Sequence, residues 1–240
     1  MKCRPCLRSI ASGEITATAK TDLKDMKRAR IILLNGASSS GKSAIAVELQ
    51  RLFKDPYMHL GIDTVFSMIP SKCKRKDPRR LMAFVWQPIH GEAPEVMISV
   101  GTLGHRIMSG FHHACAAMCR SGLDLVIDHV LMDKAWAREC KALFSPFEYY
   151  FVGVLCPIDV LERREQERGD RQIGLTRFTA LHAHSGNEYD MTVNSAAFSA
   201  RECAEQIIQH VSAGRSSGLI PRASFRRHWM EKASQGALRH

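Results

Sequence analysis

GASSSGKS occupies residues 36–43 and fits the pattern G-x-x-x-x-G-K-S/T, which is typical of loops that cradle phosphate groups. The apolar run 31–34 stands directly before it, and residues 44–53 follow with apolar side chains at helical spacing. A strand, a glycine-rich turn and a helix are the context that this motif requires. A serine-rich turn that matches by chance is the alternative, but such a turn needs no flanking strand and helix. The sequence therefore predicts a phosphate-binding loop.

The residue types in this loop suit ATP with Mg²⁺. Gly36 and Gly41 allow backbone angles that a side chain would resist, so successive N–H groups turn inward and form an anion-binding concavity. We expect Lys42 to place its charge against the outer phosphates and Ser43 to offer its hydroxyl to magnesium, at the positive end of the following helix. Four further positions are expected to contribute mainly backbone N–H groups: Ala37, Ser38, Ser39 and Ser40.

A carboxylate follows the second apolar run of the chain. Residues 57–62 predict a short strand, and Asp63 comes directly after it. In an open α/β sheet, ligands bind outside the carboxyl ends of the strands, so Asp63 is the candidate general base. The alternative is that Asp63 only N-caps a helix over residues 64–68. The two roles are compatible.

Another carboxylate lies near the end of the run LDLVIDHV at residues 123–130. Magnesium prefers oxygen ligands and keeps several of its waters, so Asp128 is expected to hold the same ion as Ser43, through water. The neighbouring His129 either contacts substrate or completes a local hydrogen bond, and the local hydrogen bond is the preferred interpretation.

Arginines cluster after the strand predicted over residues 149–155, where a helix over residues 158–167 runs into the sequence RGDR. Arg168 and Arg171 are candidate catalytic residues, because planar guanidinium groups clamp phosphate oxygens and offset charge that develops in phosphoryl transfer. Gly169 would supply the turn. The alternative is a salt-bridged helix end on the surface.

Strands and helices alternate along the rest of the chain. Apolar runs near residues 31, 57, 124, 149 and 189 are separated by helical segments, which predicts an α/β fold with a parallel sheet wrapped by helices. Further helices are expected over residues 101–120, 135–143, 175–184 and 201–211. Residues 71–94 are the least regular part and carry six Lys/Arg before residue 81. They are expected to cover substrate; their charge either steers an anion or is only a solvated face.

The net charge of +10 comes entirely from the two ends of the chain. Residues 1–30 contain eight Lys/Arg and three Asp/Glu, residues 214–240 contain six and one, and the remainder contains twenty of each. We expect a flexible basic extension over residues 1–28, one domain over residues 29–213 and a basic tail over residues 214–240. Nucleic-acid binding by the ends is the less favoured interpretation.

The composition favours a cytoplasmic protein that does not enter the membrane. No run reaches the roughly 20 apolar residues that span a bilayer, and the first residues have no apolar core of an export signal. Met26 is an alternative start. Cys3 and Cys6 form a single C-x-x-C, for which an unstructured end is preferred over a zinc site. Buried free thiols are expected at three positions: Cys115, Cys140 and Cys156.

Taken together, the runs ILLNGASSSGKS, LGIDT, LVIDHV, VGVLCP, LERREQERGDRQIG and NEYDMTVN resemble the chloramphenicol phosphotransferase-like family of P-loop kinases over residues 29–212. The resemblance implies a kinase fold with a five-stranded parallel sheet and helices in three layers. It also implies that Asp63 acts as the base toward the substrate hydroxyl and that Arg168 and Arg171 are lid arginines. The chain departs from the family pattern in residues 71–94 and at His129.

The expected function is transfer of the γ-phosphoryl group of ATP to a hydroxyl of a small molecule, with an antibiotic such as chloramphenicol as one acceptor class. Related alternatives are a kinase that acts on a nucleotide sugar or on a nucleic-acid end. A third hypothesis is a non-catalytic nucleotide-binding protein associated with RNA. A base and an arginine clamp favour the kinase, because a protein that only binds nucleotide needs neither.

Overall fold

The computed structural model describes residues 28–73, 83–89, 94–169 and 172–214. Strands and helices alternate through these residues, as the spacing of the apolar runs predicts. In chain order they are β1 (Arg30–Asn35), α1 (Lys42–Leu52), β2 (Tyr57–Gly61), α2 (Ile62–Met68), β3 (Phe84–Ile89), β4 (Glu95–Val100), α3 (Thr102–Arg120), β5 (Asp124–His129), α4 (Lys134–Phe144), β6 (Glu148–Leu155), α5 (Ile158–Arg168), α6 (Leu175–Ala183), β7 (Met191–Asn194) and α7 (Ala200–Ser212).

Five of the strands form one parallel sheet in the order β2-β5-β1-β6-β7. The central strand β1 pairs with β5 on one side and β6 on the other, so the strand that precedes the glycine-rich loop lies in the middle of the sheet. The predicted five-stranded parallel sheet is confirmed. Its strand order also brings the ends of β2 and β5, with their carboxylates, to the same edge as the loop.

Alternate residues of the central strands enter two separate cores. Ile31 and Leu33 pack on the side of α3 and α4, whereas Ile32 and Leu34 pack on the side of α1 and α7. All four side chains are fully buried, because a parallel sheet covered by helices on both faces leaves no face to water. The predicted arrangement in three layers is confirmed.

The prediction of an irregular segment over residues 71–94 is wrong in part. Phe84–Ile89 is a strand that pairs antiparallel with Glu95–Val100, and the two form a hairpin apart from the main sheet. Pro88 lies within the first of these strands, and proline within an apolar run argues against a strand in sequence-based prediction. Five of the six basic residues expected to steer an anion, from residue 74 to residue 80, lie outside the described residues; the sixth is Lys72.

The remaining predictions on the fold concern the buried cysteines, the two ends of the chain and membrane-spanning helices. The cysteines expected to be buried are buried and free: Cys115, Cys140 and Cys156. The proposed extension and tail, Met26 and the C-x-x-C pair lie almost wholly outside the described ranges, so the domain boundaries stay predictions. Among the residues that the structure covers, no helix has the length and apolar character needed to cross a membrane.

Candidate active site

The loop 36–43 lies between β1 and α1 and has a backbone that requires glycine at two points. A Cβ on Gly36 would come within 2.5 Å of the Val154 carbonyl oxygen, and Gly41 has a φ of +85°. Ser39 adopts a φ of +61°, the only described non-glycine residue with a positive φ. Backbone angles of this kind allow neighbouring amide groups to converge on an anion. The local geometry therefore fits a cradle for phosphate.

Residues distant in sequence hold this loop in place. Asn35, fully buried, donates from Nδ2 to the Ala183 carbonyl (2.7 Å) and to the Tyr189 hydroxyl (2.8 Å), and its Oδ1 accepts from the amide of Leu131 (2.8 Å). The sequence interpretation missed these contacts. An amide side chain directly after an apolar run and before Gly36 is the signal that could have found Asn35.

Lys42, Ser43 and Asp128 form a compact group at the start of α1. The Lys42 ammonium donates to the Ala37 carbonyl at 2.7 Å and lies 3.8 Å from Asp128 Oδ1, and both residues are 6% exposed. The Ser43 hydroxyl donates to Asp128 Oδ2. This group offers a hydroxyl and a carboxylate, the oxygen donors that magnesium prefers. In the described part of the chain, no three His, Cys, Asp or Glu residues cluster as metal ligands.

Asp63 lies at the same edge, in the first turn of α2. Gly61, the last residue of β2, is paired in register with Asp128, so the two carboxylates follow adjacent strand ends. The alternative role of Asp63 as an N-cap is wrong, because the N-cap position of α2 is Gly61 and the helix begins at Ile62. The carboxylate is exposed at the mouth of the site rather than used to start the helix.

A cavity of about 490 Å³ joins the loop to this carboxylate. Its polar lining includes Ser38 from the loop, Asp63 from α2 and Arg168 from the end of α5. The apolar lining comes from α2, the β3–β4 hairpin, the segment after β5 and the start of α6: Ile62, Phe66, Trp86, Ile98, Val130, Met132 and Leu175. Phe66 and Trp86 meet edge to face, with ring centroids 5.8 Å apart. The cavity therefore has one polar end at the loop and one aromatic wall.

Arg168 is the last residue of α5, and Gly169 ends the helix with a φ of +66°. The structure thus brings Arg168 to the cavity that Asp63 also lines, as the sequence pattern indicated. Arg171, the other predicted arginine, lies outside the described residues together with Asp170.

Arg164, one turn earlier on α5, is a second cation beside the loop that the sequence interpretation missed. Its guanidinium donates to the Ser195 carbonyl at 2.7 Å and to the Ser195 hydroxyl at 3.3 Å. It also lies 3.9 Å from the Cβ position of Gly41. Helix α5 contains several arginines, and nothing in the sequence distinguishes Arg164 as one that lies beside the loop.

His129 is fully buried and does not line the cavity. Its Nε2 lies 3.0 Å from Nε2 of His112, whose Nδ1 lies 2.6 Å from Glu139 Oε2. Burial lowers the pKa of His129 well below its usual value, and the neighbouring His112 and then Lys42 lower it further. The interpretation of His129 as a local hydrogen-bonding residue is confirmed; the contact with substrate finds no support.

The sequence of the chain matches a known family. Residues 29–212 match the family described as chloramphenicol phosphotransferase-like protein. A protein of Mycobacterium tuberculosis whose provisional description is O-phosphotransferase, found in two strains, is 29% identical over 184 residues; these cover 76% of this chain and 82% of the relative.

Solved structures of kinases are similar in fold. The APS kinase of Mycobacterium tuberculosis, solved in complex with AMPPNP and APS, has a TM-score of 0.54 at 14% identity over 77% of this chain and 98% of its own. A sugar kinase from Janibacter sp. has a TM-score of 0.55 at 12% identity over 77% of this chain and 95% of its own. At these identities the likeness shows the P-loop kinase fold alone.

Proposed function

Because the chain belongs to the chloramphenicol phosphotransferase-like family, we propose that it is an ATP-dependent O-phosphotransferase, which moves the γ-phosphoryl group of ATP to a hydroxyl of a small molecule. The family and the P-loop kinase fold support a phosphotransferase in general. One observation carries the finer proposal: Ser38 of the loop, Asp63 and Arg168 line a single cavity. A nucleotide-binding protein without catalysis would have no use for a carboxylate at that place.

In this proposal backbone amides of the loop 36–43 bind the nucleotide phosphates, apart from the Ser38 amide, which donates to Thr179 Oγ1. Lys42 neutralises charge on the outer phosphates. Ser43 and Asp128 would hold Mg²⁺, which when bound offsets the charge of the phosphate oxygens. Asp63 takes the proton of the acceptor hydroxyl as its oxygen forms the new bond to phosphorus. The bond from phosphorus to the bridging oxygen breaks, and ADP leaves with that oxygen. Arg168, with Arg171, stabilises charge on the transferring group.

The proposal extends to the class of acceptor only as far as a hydroxyl compound small enough for the cavity, and an antibiotic is one such class. The aromatic wall formed by Phe66 and Trp86 supports an acceptor with an apolar part. The polar end beside Ser38 supports phosphate there, so the acceptor is proposed to approach from the side of α2.

A screen of ATP consumption tests the proposal. Purified protein is incubated with magnesium, ATP and sets of hydroxylated antibiotics, nucleosides and nucleotide sugars, with the Lys42→Ala protein as the blank. We expect consumption above the blank with at least one compound, and a phosphorylated product by mass spectrometry. Consumption equal to the blank in every set would contradict it. RNA binding with a steep dependence on salt, together with no consumption, would instead support the nucleotide-binding alternative.

A further inference from the structure

Glu165 of α5 is a buried carboxylate to which neither the sequence motifs nor the proposed reaction gives a role. It is 2% exposed. One oxygen accepts the amide of Gly174 at 2.8 Å and the other accepts the amide of Thr176 at 2.8 Å. These are the amides of the N-cap residue of α6, Gly174, and of its second residue, Thr176. Gly174 has no side chain that could cap the helix. Glu165 therefore caps α6 from another helix, with its charge at the positive end.

Helix α6, which Glu165 caps, contacts the phosphate-binding loop. Thr179 Oγ1 accepts the amide of Ser38 at 3.0 Å, and the Thr176 hydroxyl lies 3.4 Å from the Ser39 hydroxyl. Thr179 is 2% exposed and Thr176 is fully buried, so these contacts are made within the core. The position of the first two turns of α6 thus determines where one side of the loop lies.

The N-terminus of α6 also contacts the β3–β4 hairpin, which forms part of the cavity wall. The Gly174 carbonyl accepts the amide of Val96, the second residue of β4, at 3.1 Å. A Cβ on Gly174 would lie 2.7 Å from the Pro94 carbonyl carbon and oxygen, and the residue has a φ of +97°. The amide, the carbonyl and the missing side chain of Gly174 are therefore all required at this junction.

Glu165 is also one turn from Arg168 on α5, and Arg168 reaches the cavity. We propose that Glu165 is a positioning residue, whose two hydrogen bonds fix α6 against α5 and so hold the loop at Ser38, the hairpin at Val96 and the arginine at the cavity in one arrangement. The kinetic part of this inference rests on the proposed phosphotransferase function; the part on nucleotide affinity needs only nucleotide binding.

A second contact between α5 and α6 provides a control. It distinguishes a positioning role of Glu165 from a role in merely holding the two helices together. Glu162 pairs with Arg177 at 2.5 Å, and both side chains are about one-third exposed. This ion pair joins the same two helices through the Arg177 side chain, whereas Glu165 accepts backbone amides at the start of α6. If Glu165 only held the helices together, loss of Glu162 would have a similar effect. Glu167, an exposed carboxylate on α5, provides a control for charge alone.

The experiment compares Glu165→Gln with Glu162→Gln and Glu167→Gln in the full chain. Glutamine keeps the length of the side chain but has only one oxygen, so one of the two amides faces an NH₂ group. Three quantities are measured: hydrogen exchange of the Gly174 and Thr176 amides, affinity for magnesium–AMPPNP, and kcat with the acceptor found by the screen.

We expect Glu165→Gln to raise amide exchange at Gly174 and Thr176 at least about tenfold while β1 and β6 keep their protection. Affinity for magnesium–AMPPNP should fall about fivefold to tenfold, because one of several loop contacts shifts. The kcat should fall about 100-fold, since small displacements of catalytic groups cost that much. Both control variants should stay within about twofold of wild type in all three quantities.

Three results would overturn the proposal. Glu165→Gln could leave amide exchange at Gly174 and Thr176 unchanged, or it could raise that exchange while nucleotide affinity and kcat stay at the wild-type values. The third result is that Glu162→Gln changes exchange, affinity and kcat as much as Glu165→Gln does. If Glu165→Gln loses protection throughout the sheet, Glu165→Asp decides, because it keeps the charge but is one methylene too short to reach both amides. A wild-type kcat and affinity in Glu165→Asp would also overturn the proposal. If the wild type transfers no phosphoryl group, the proposed function fails, and exchange and AMPPNP affinity still decide the role of Glu165.

Discussion

The two ends of the cavity are built in different ways. The nucleotide end is built mainly from one continuous segment, residues 36–43, set between a buried strand and a helix, and Asp128 of β5 lies beside it. The acceptor end is assembled from α2, the β3–β4 hairpin and the segment after β5, which are separate in sequence. The shape of the first end follows from local backbone geometry, with distant residues anchoring it, whereas the second end exists only where distant segments pack together.

The two ends have different roles in ligand binding because they are built differently. A loop with required glycines binds a fixed chemical group, the phosphate, whatever the rest of the ligand is. A wall made of packed side chains from several elements selects by shape and can change without disturbing the loop. Variants at the two ends should therefore affect different kinetic constants.

Asp63→Asn should have the largest effect and should leave the nucleotide end intact. Without the general base, kcat is expected to fall about 10³-fold, while the affinity for magnesium–AMPPNP changes less than about twofold. Steady-state kinetics and calorimetric titration measure the two quantities. Asp159→Asn, an exposed carboxylate in the first turn of α5, is the matched control. An unchanged kcat in Asp63→Asn would remove this residue from its proposed role.

Asp128→Asn should disturb the nucleotide end, with a loss of about 100-fold in kcat at low magnesium. The amide keeps the shape but loses the charge that would attract the ion, so the magnesium concentration for half-maximal rate should rise. The acceptor KM should not change. Asp124→Asn, at the opposite end of β5, serves as the control. If magnesium dependence were the same in both variants, Asp128 would not belong to the metal site.

His184, which contacts the same Tyr189 hydroxyl as Asn35, should make the stability of the fold sensitive to acid. Burial and then the charge of Lys42 lower the pKa of His184 to about 4, and its Nδ1 lies 2.7 Å from the Tyr189 hydroxyl. In the unfolded chain the ring takes up a proton below about pH 6.5. In the folded chain it stays neutral down to about pH 4, so stability is lost as the pH falls between these values.

The expected loss is about 3 kcal/mol in the free energy of unfolding from pH 6.5 to pH 4. Urea unfolding of wild type and His184→Gln at a series of pH values measures it. The variant should lose correspondingly less stability over this range, because the other titrating groups are common to both proteins. Parallel curves for the two proteins would show that His184 does not contribute.

Trp86→Ala should have the smallest effect and should be confined to the acceptor end. Removing this part of the cavity wall is expected to raise the acceptor KM about tenfold through lost apolar contact, with the ATP KM within about twofold. Phe198→Ala, an exposed aromatic residue away from the cavity, is the control. A similar rise in both KM values would mean that the two ends are not separable.

The sequence was sufficient for features that depend on neighbouring residues. The five parallel strands, the loop and the placement of Asp63 and Asp128 at strand ends follow from apolar runs and from a motif with its flanks. The hairpin could not be found in this way, because Pro88 lies in a strand whose pairing is visible only in three dimensions.

Residues that act across long sequence distances also escaped prediction. Thr179 contacts Ser38 across 141 positions, and Asn35 contacts Tyr189 across 154. Glu165 lies in a helix with many charged residues, where nothing in the sequence marks it as the buried one. Such contacts depend on which side of each helix meets its neighbour, and that is fixed by packing of the whole domain.

The three hydrogen bonds of Asn35 have a chemical consequence for the ageing of the protein. Asn35 is followed by Gly36, and an asparagine before glycine deamidates readily when the glycine nitrogen can attack the side-chain amide. In the folded chain the side chain is held by Ala183, Tyr189 and Leu131, away from that reaction. Each excursion to the unfolded state removes this protection. Because a carboxylate could not donate to the Ala183 carbonyl, deamidation would turn reversible unfolding into permanent loss of the loop.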